Sequence, residues 1–191
     1  MEKGRLEAFS DGVIAILITI MVLELKVPLG TDLASLLPLI PVILSYVLSF
    51  VYLGIYWNNH HHLFQAVEFV DGRVLWANMH LLFWLSLIPF VTGWMGENKF
   101  APVPILLYGV VMWMAGLAYY ILTRALIARH GRDSMLAVAV GRDIKGLISL
   151  FFYSAAVLLA LTNSWISLFI YALVAIMWFI PDPRIERRLD K

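Results

Sequence analysis

The sequence predicts an all-α integral membrane protein with six transmembrane helices, and three observations support this fold class. Of the 191 residues, 62% are hydrophobic and only 14% are charged, whereas soluble domains are about half apolar and about one-quarter charged. Six apolar runs of roughly membrane-spanning length lie between charged residues. The basic residues gather in alternate connections between these runs. Because so much apolar surface needs lipid, residues 1–191 are expected to form a single membrane domain.

Charges, prolines and short polar connections mark the ends of the six predicted spans. A helix needs about 20 residues, at about 1.5 Å each, to cross a hydrocarbon core of about 30 Å. The first run lies between Arg5 and Lys26, and Pro28 marks the connection after it. The later runs lie at about 33–57, 74–96, about 100–123, 146–161 and 165–180. Pro181 and Pro183 are expected to stop the last helix.

The distribution of Lys and Arg predicts the orientation in the membrane. Six spans place both termini on one side, and cytoplasmic connections carry an excess of basic residues. Of the 14 basic residues, only Lys26 and Lys99 fall on the opposite side. The other twelve share one side, namely Lys3, Arg5, Arg73, Arg124, Arg129, Arg132, Arg142, Lys145, Arg184, Arg187, Arg188 and Lys191. Both termini are therefore expected in the cytoplasm, in a multi-pass protein of a cell membrane.

Composition also excludes several kinds of chemistry. The chain has no cysteine, which excludes disulfides, thiolate catalysis, Cys-ligated zinc and iron–sulfur clusters. The basic connection at 124–145 is most simply a topology signal, and binding of anionic lipid is the alternative. The mixed charges at 184–191 predict a solvated end, and nothing in the chain favours nucleic-acid binding.

An acidic residue lies inside the first apolar run. An Asp near the bilayer centre costs about 2.5 to 3.5 kcal/mol, and less near the interface, so Asp11 is expected to face protein and to have a partner. Arg5, Ser10 and distant polar groups are candidates. Either Arg5, Ser10 and Asp11 only bond the helix end to its neighbours, or Asp11 takes part in ion binding. Because Asp11 and Glu24 interrupt or flank the run, it is expected to remain as a helix rather than to be cleaved as a secretory signal.

One face of the first helix carries branched apolar side chains. Ile16, Thr19, Ile20 and Leu23 follow Asp11 at steps of three and four residues and therefore share a face. Thr19 bears the only hydroxyl on that face. Periodicity alone would assign such a face to lipid or to the protein core.

The same helix resembles a known family. Its motif Arg-x-x-x-Phe-Ser-Asp-Gly-Val starts at Arg5, includes Phe9, Ser10 and Asp11, and is followed by Ala-Ile at 15–16 and Leu-Glu at 23–24. This pattern resembles the signature of the transmembrane protein 175 family of potassium channels. The segment Tyr-Trp-x-x-His-His-x-Leu-Phe at 56–64 and the region 78–90 are also similar to that family. The likeness is expected to cover the whole chain.

The resemblance implies a potassium-selective, leak-like cation channel whose first helix lines a central pore. The family has bulky apolar side chains at the constriction in place of the Thr-Val-Gly-Tyr-Gly filter, which this sequence lacks. Those positions fall on Ile16, Ile20 and Leu23, and Thr19 matches a position where some relatives present a hydroxyl ring. Whether Thr19 or Ile20 forms the middle layer depends on helix rotation. Human members resemble two fused six-helix repeats working as dimers, so a single repeat implies a homotetramer, with permeant potassium and no bound cofactor or metal.

Polar residues around this helix have more than one interpretation. Glu24 either forms an acidic ring that concentrates cations at the pore mouth, or pairs with Lys26, or is solvated. A network of Asp11, Asn78 and His60 or His61 is expected to support the pore helix together with its Arg5, Phe9 and Ser10. These histidines either pack, or link gating to pH, or bind metal. The last is disfavoured because adjacent histidines on a helix point in different directions.

Two other function classes compete with the channel. A small secondary transporter or proton-coupled exporter would use Asp11 as its coupling acid, although broken helices and internal repeats are typical of transporters. A His-dependent membrane enzyme is the weaker alternative, since five His are too few for a His-rich di-iron site. No catalytic residue is therefore expected.

Overall fold

The computed structural model describes residues 3–131, 133–141 and 143–179, and the regular structure within them is helical. The described residues form eight α-helices in succession, namely α1 Lys3–Met21, α2 Ile40–Gln65, α3 Gly72–Ser86, α4 Ile88–Glu97, α5 Pro102–His130, α6 Met135–Val140, α7 Ile144–Leu159 and α8 Ser164–Phe179. Short 3₁₀ segments at Val22–Glu24 and Leu33–Leu39 extend α1 and precede α2. The predicted stop at Pro181 and Pro183, Arg132, Arg142 and the charged run 184–191 lie outside the described residues.

The helices reproduce the six predicted apolar stretches in order, with differences in length. Among the described residues, four stretches are long and apolar enough to cross a membrane: Lys3–Glu24, Leu33–Gln65, Gly72–Glu97 and Pro102–His130. The chain is therefore a multi-pass membrane protein. The last two stretches, α7 and α8, have 16 residues each, or about 24 Å. They are shorter than a hydrocarbon core of about 30 Å.

Two predicted helix ends and one predicted continuous span differ from the structure for physical reasons. The second and fourth spans continue to Gln65 and His130, because backbone hydrogen bonds propagate a helix through polar residues outside the apolar core. The third span breaks at Leu87 into α3 and α4. Pro89 explains the break, since it has no backbone N–H to donate to the preceding turn.

Long-range contacts show which helix termini lie together at each of the two ends of the helix bundle. At one end the Lys3 ammonium donates to the carbonyls of Phe64 and Val67, at 3.0 and 2.8 Å, and Arg129 lies 3.6 Å from Asp71. We call this the basic end, and its described basic residues are Lys3, Arg5, Arg73, Arg124, Arg129 and Lys145. At the opposite end Lys26 pairs with Glu97 at 2.5 Å, and the rings of Phe100 and Trp165 lie 5.4 Å apart. For these six of the twelve basic residues, the grouping expected from the sequence is present.

Glycines let the helices pack closely around α5 and α2. A Cβ built on Gly96 of α4 would lie 2.7 Å from the Cα of Val42 on α2, and one on Gly109 of α5 would lie 2.8 Å from Cζ of Tyr171 on α8. Contacts under 3.0 Å are essentially never made by real Cβ atoms. The absence of a side chain at these positions therefore sets the spacing of α2, α4, α5 and α8.

Candidate functional site

The first helix has one buried face and one exposed face. Its buried side chains follow steps of three and four residues and are Leu6, Ser10, Ile14, Leu17 and Met21. They pack α1 against α2, α3 and α4. This pattern is the 3.6-residue period of a helix that covers a core on one side only.

The four residues predicted to line a pore all lie on the exposed face. Ile16 is 62% exposed, Ile20 46% and Leu23 76%, and Thr19 is exposed between them. Phe9 of the motif is half-exposed on the same helix. Nothing else in the described part of the chain covers these apolar side chains, so lipid or other copies of the protein must cover them.

The Thr19 hydroxyl is oriented by its own helix. Its Oγ1 lies 3.1 Å from the carbonyl oxygen of Ala15 and 3.0 Å from that of Ile16. The hydroxyl hydrogen is therefore donated back to the backbone, as is common for Ser and Thr within helices. The oxygen lone pairs then face away from the helix, where they can accept a hydrogen bond or contact a cation.

Glu24 does not pair with Lys26. The Lys26 ammonium donates to Oε1 of Glu97 at 2.5 Å, and the hydrogen bond and charge of Glu97 raise the pKa of Lys26. The Glu24 carboxylate instead rests against α4, where a Cβ added to Gly93 would lie 3.2 Å from its Oε2. The Lys26 pairing considered from the sequence is thus replaced by a pairing with an acid 71 positions further along the chain.

A buried hydrogen-bond network joins α1, α2 and α3. Asn78 Nδ2 donates to Ser10 Oγ at 2.9 Å, and Ser10 Oγ donates to the carbonyl of Leu6 at 2.9 Å. His60 Nε2 lies 2.8 Å from Asn78 Oδ1. Because an amide oxygen only accepts, His60 must carry its hydrogen on Nε2. Ser10, His60 and Asn78 are all fully buried, and His60 Nδ1 has no partner among the described residues.

Two residues expected in this network lie outside it. Asp11 accepts a hydrogen bond from Trp57 Nε1 at 3.1 Å in an exposed contact. His61 bonds to Gln65 at 2.8 Å and stacks on Trp57 with ring centroids 6.0 Å apart. One residue is about 100° of rotation on a helix, so Ser10 and His60 point inward while their neighbours point outward. Asp11 thus has a partner, as expected, and among the three candidates it is the distant polar group, Trp57, and not Arg5 or Ser10. Arg5 is itself exposed.

Sequence reasoning missed two partners. Trp57 lies in the 56–64 motif, and its position near the predicted end of the second span is the signal that its N–H could meet an acid at the same depth. Lys3 belongs to the basic residues that predict the topology, and it also bonds carbonyls at the end of α2, as cations near helix C-termini often do. Among the described residues no three His, Asp or Glu side chains meet in a group that could hold a metal ion.

The chain is similar to known channels over its whole length. Residues 5–89 match the family described as endosomal/lysosomal potassium channel TMEM175. A potassium channel of Chryseobacterium sp. (strain P1-3) is 53% identical over 191 residues, which cover 100% of both chains. A potassium channel of Chamaesiphon minutus (strain ATCC 27169 / PCC 6605) is 40% identical over 107 residues, which are 53% of each chain.

The fold is also similar to a solved structure. The crystal structure of a lysosomal potassium-selective channel TMEM175 homolog from Chamaesiphon minutus superimposes with a TM-score of 0.80 at 29% sequence identity. The superposition covers 94% of this chain and 97% of that one. The likeness therefore includes the two short helices α7 and α8 as well as the four long helical stretches.

Proposed function

Because the chain belongs to the TMEM175 family, we propose that it is a potassium-selective, leak-like cation channel in a prokaryotic cell membrane. A relative that matches the whole chain and another that matches about half of it are named potassium channels, which favours a channel over an exporter or a membrane enzyme. The single observation that carries the proposal is the exposed apolar face of α1, at Ile16, Thr19, Ile20 and Leu23.

One α1 helix encloses nothing, so the proposed pore needs several copies around an axis. We infer a homotetramer, because the chain carries one six-helix unit and four copies match the helix number of a dimer of two fused units. In this assembly the exposed faces of four α1 helices meet, and their buried faces stay packed against α2, α3 and α4. Association would cover the side chains that the single chain leaves exposed.

The constriction we propose is formed by rings of Ile16, Ile20 and Leu23. A narrow ring of branched aliphatic side chains expels water and closes a pore by dewetting. A small rotation of α1 would withdraw these side chains and bring Thr19 toward the axis. Thr19 oxygens, whose hydrogens are turned back to the helix, would then replace part of the hydration shell of a permeating ion. Weakly hydrated potassium loses less than sodium in such an exchange.

Ion flux from liposomes tests the proposal. We expect Ile16→Asn to raise flux by hydrating the constriction, Leu23→Ala to raise flux by widening it, and Thr19→Val to reduce selectivity for potassium over sodium. The matched control is Leu158→Ala on α7, because Leu158 is 77% exposed and Leu23 is 76% exposed. Unchanged flux and selectivity in all three α1 variants would refute the pore assignment.

A further inference from the structure

Arg5 lies on the exposed face of α1, in line with the branched side chains of the proposed constriction. Arg5 and Ile16 are separated by about three turns of one continuous helix. At about 100° per residue, their side chains leave the helix within about 20° of each other. Ile16 is 62% exposed, and Arg5 is exposed as well. The rotation of α1 that turns Ile16 out of the core therefore also turns Arg5 out.

The charge of Arg5 is not neutralised by the described part of the chain, in which Arg5 has no hydrogen-bond or ion-pair partner. Two acids of the same helix point elsewhere. Glu7 leaves the helix about 160° away from Arg5, and Asp11 accepts a hydrogen bond from Trp57. Lys3, by contrast, donates to carbonyls at the end of α2. Because a guanidinium in a protein stays protonated, Arg5 presents a full positive charge on the exposed face.

The two ends of α1 carry opposite charges. From Arg5 to Leu23 the helix and its 3₁₀ extension rise about 27 Å, which is close to the thickness of a hydrocarbon core of about 30 Å. Leu23 therefore lies near one surface of the membrane, together with the exposed Glu24. Arg5 lies near the other surface, at the basic end of the bundle.

The exposed face between Arg5 and Ile16 carries small residues. Gly12 is exposed, and a Cβ built on it meets no atom within 4 Å. Ala8 is also exposed, one turn above Arg5, and the half-exposed Phe9 lies about 40° to the side. Four such faces around an axis would leave a wider, hydrated entrance below the Ile16 ring. Like charges at an entrance with apolar walls act strongly on ions, because the walls focus the field.

We propose that Arg5 forms a ring of positive charge at the basic end of the pore, and that this ring limits the entry of cations from that end. The inference rests on the proposed homotetramer with its α1 pore. Four guanidiniums would lower the local concentration of potassium at their end, whereas the Glu24 carboxylates would raise it at the other end. Potassium would then enter more readily from the Glu24 end. Arg5 would thus give the channel a preferred direction of current.

Arg5→Cys tests the charge at this position by single-channel recording in lipid bilayers, since the chain has no other cysteine. In about 0.01 M potassium, loss of the guanidinium should raise the current that enters from the basic end about two- to threefold. In about 1 M potassium, where the Debye length is about 3 Å, the rise should be much smaller. A methanethiosulfonate reagent with a trimethylammonium group, added at the basic end, should restore the original current. A reagent with a sulfonate group should raise the current further.

The matched control is Arg124→Cys. Arg124 is an exposed basic residue at the same end, but it lies on α5, which packs behind α3 and α4. This variant should conduct as the unmodified chain does, with either reagent. Arg5→Gln should raise the current as Arg5→Cys does, which separates the loss of charge from any effect of the thiol. Both Arg5 variants should melt in detergent at the temperature of the unmodified chain, because Arg5 has no partner to lose.

The recordings distinguish failure of the ring from failure of the pore. Equal effects of the two reagents on Arg5→Cys would show that bulk and not charge matters, and would overturn the ring. An unchanged current in Arg5→Cys would also overturn it, provided that Leu23→Cys responds to reagent from the opposite end, because Arg5 would then contact lipid headgroups outside a working pore. Absence of potassium current in the unmodified chain would instead refute the pore itself, and the ring with it.

Discussion

Asn78 donates a hydrogen bond to Ser10 at 2.9 Å, and this bond fastens the buried face of α1 to α3. Because Ser10 is held inward, the rotation of α1 about its axis is set. The same rotation places Ile16 and Leu23 on the exposed face. A polar contact near the start of the helix therefore determines which apolar side chains are available to other copies of the chain.

Replacing Asn78 by Leu should destabilise the protein. The change keeps a similar volume but leaves His60 and Ser10 buried without their partner, at a cost of about 1 to 3 kcal/mol. Thermal unfolding in detergent measures the loss. The control is Ser86→Ala, because the exposed Ser86 bonds only to a carbonyl of its own helix. Equal melting temperatures for the two variants would show that the network contributes nothing.

Gly96→Ala should force α2 and α4 apart. The new methyl group would lie 2.7 Å from the Cα of Val42, which is backbone and cannot move alone. Overpacking of this kind costs about 1 to 3 kcal/mol. Gly54→Ala serves as the control because its Cβ has open space. A melting temperature as high for Gly96→Ala as for Gly54→Ala would contradict the close approach of the two helices.

Cysteine substitution tests whether the exposed face of α1 meets other copies. The natural chain has no cysteine, so a single introduced thiol reports only on its own position. We expect Leu23→Cys to form disulfide-linked dimers on mild oxidation, and a membrane-impermeant thiol reagent to reduce its ion flux. Leu158→Cys, which is equally exposed on α7, should do neither. Crosslinking at Leu158 but not at Leu23 would place the contact between copies elsewhere.

Glu24→Gln should lower cation conductance in a salt-dependent way. In the proposed tetramer, a ring of Glu24 carboxylates would raise the local cation concentration. Added salt would screen this effect as the Debye length falls from about 30 Å at 0.01 M to about 3 Å at 1 M. Single-channel recording should therefore show a larger loss at low salt. Glu97→Gln should have a smaller effect, because Glu97 already pairs with Lys26. A loss that is the same at both salt concentrations would argue against an electrostatic role.

Asp71 should make stability depend on acid pH. The backbone N–H groups of Val74 and Arg73, together with the charge of Arg129, hold the pKa of Asp71 below its ordinary value of 3.8. Since protonation is then easier in the unfolded chain, the contribution of Asp71 to stability is complete above about pH 4 and is lost as pH falls through the folded pKa. Asp71→Asn, which can still cap α3, should show a smaller fall in melting temperature below pH 4. Identical pH profiles would rule this out.

Local sequence predicted much of the candidate site. Periodicity grouped Ile16, Thr19, Ile20 and Leu23 correctly on one face, because the spacing of side chains on a helix depends only on its 3.6-residue turn. Periodicity could not predict which residue of the pair Ser10 and Asp11, or of the pair His60 and His61, faces the interior of the protein. Neighbouring residues differ by about 100° of rotation, and only contacts with α2 and α3 decide which of them faces inward.

The sequence by itself determined that the chain resides in a membrane, the order of its apolar helices and the gathering of its basic residues at one end. These properties follow from composition and from charges close together along the chain. The tertiary structure decided the partner of Lys26, the bond between Asp11 and Trp57, and the buried network of Ser10, His60 and Asn78. Each of these joins residues that are far apart in the sequence, so each depends on how the helices pack and not on any local pattern.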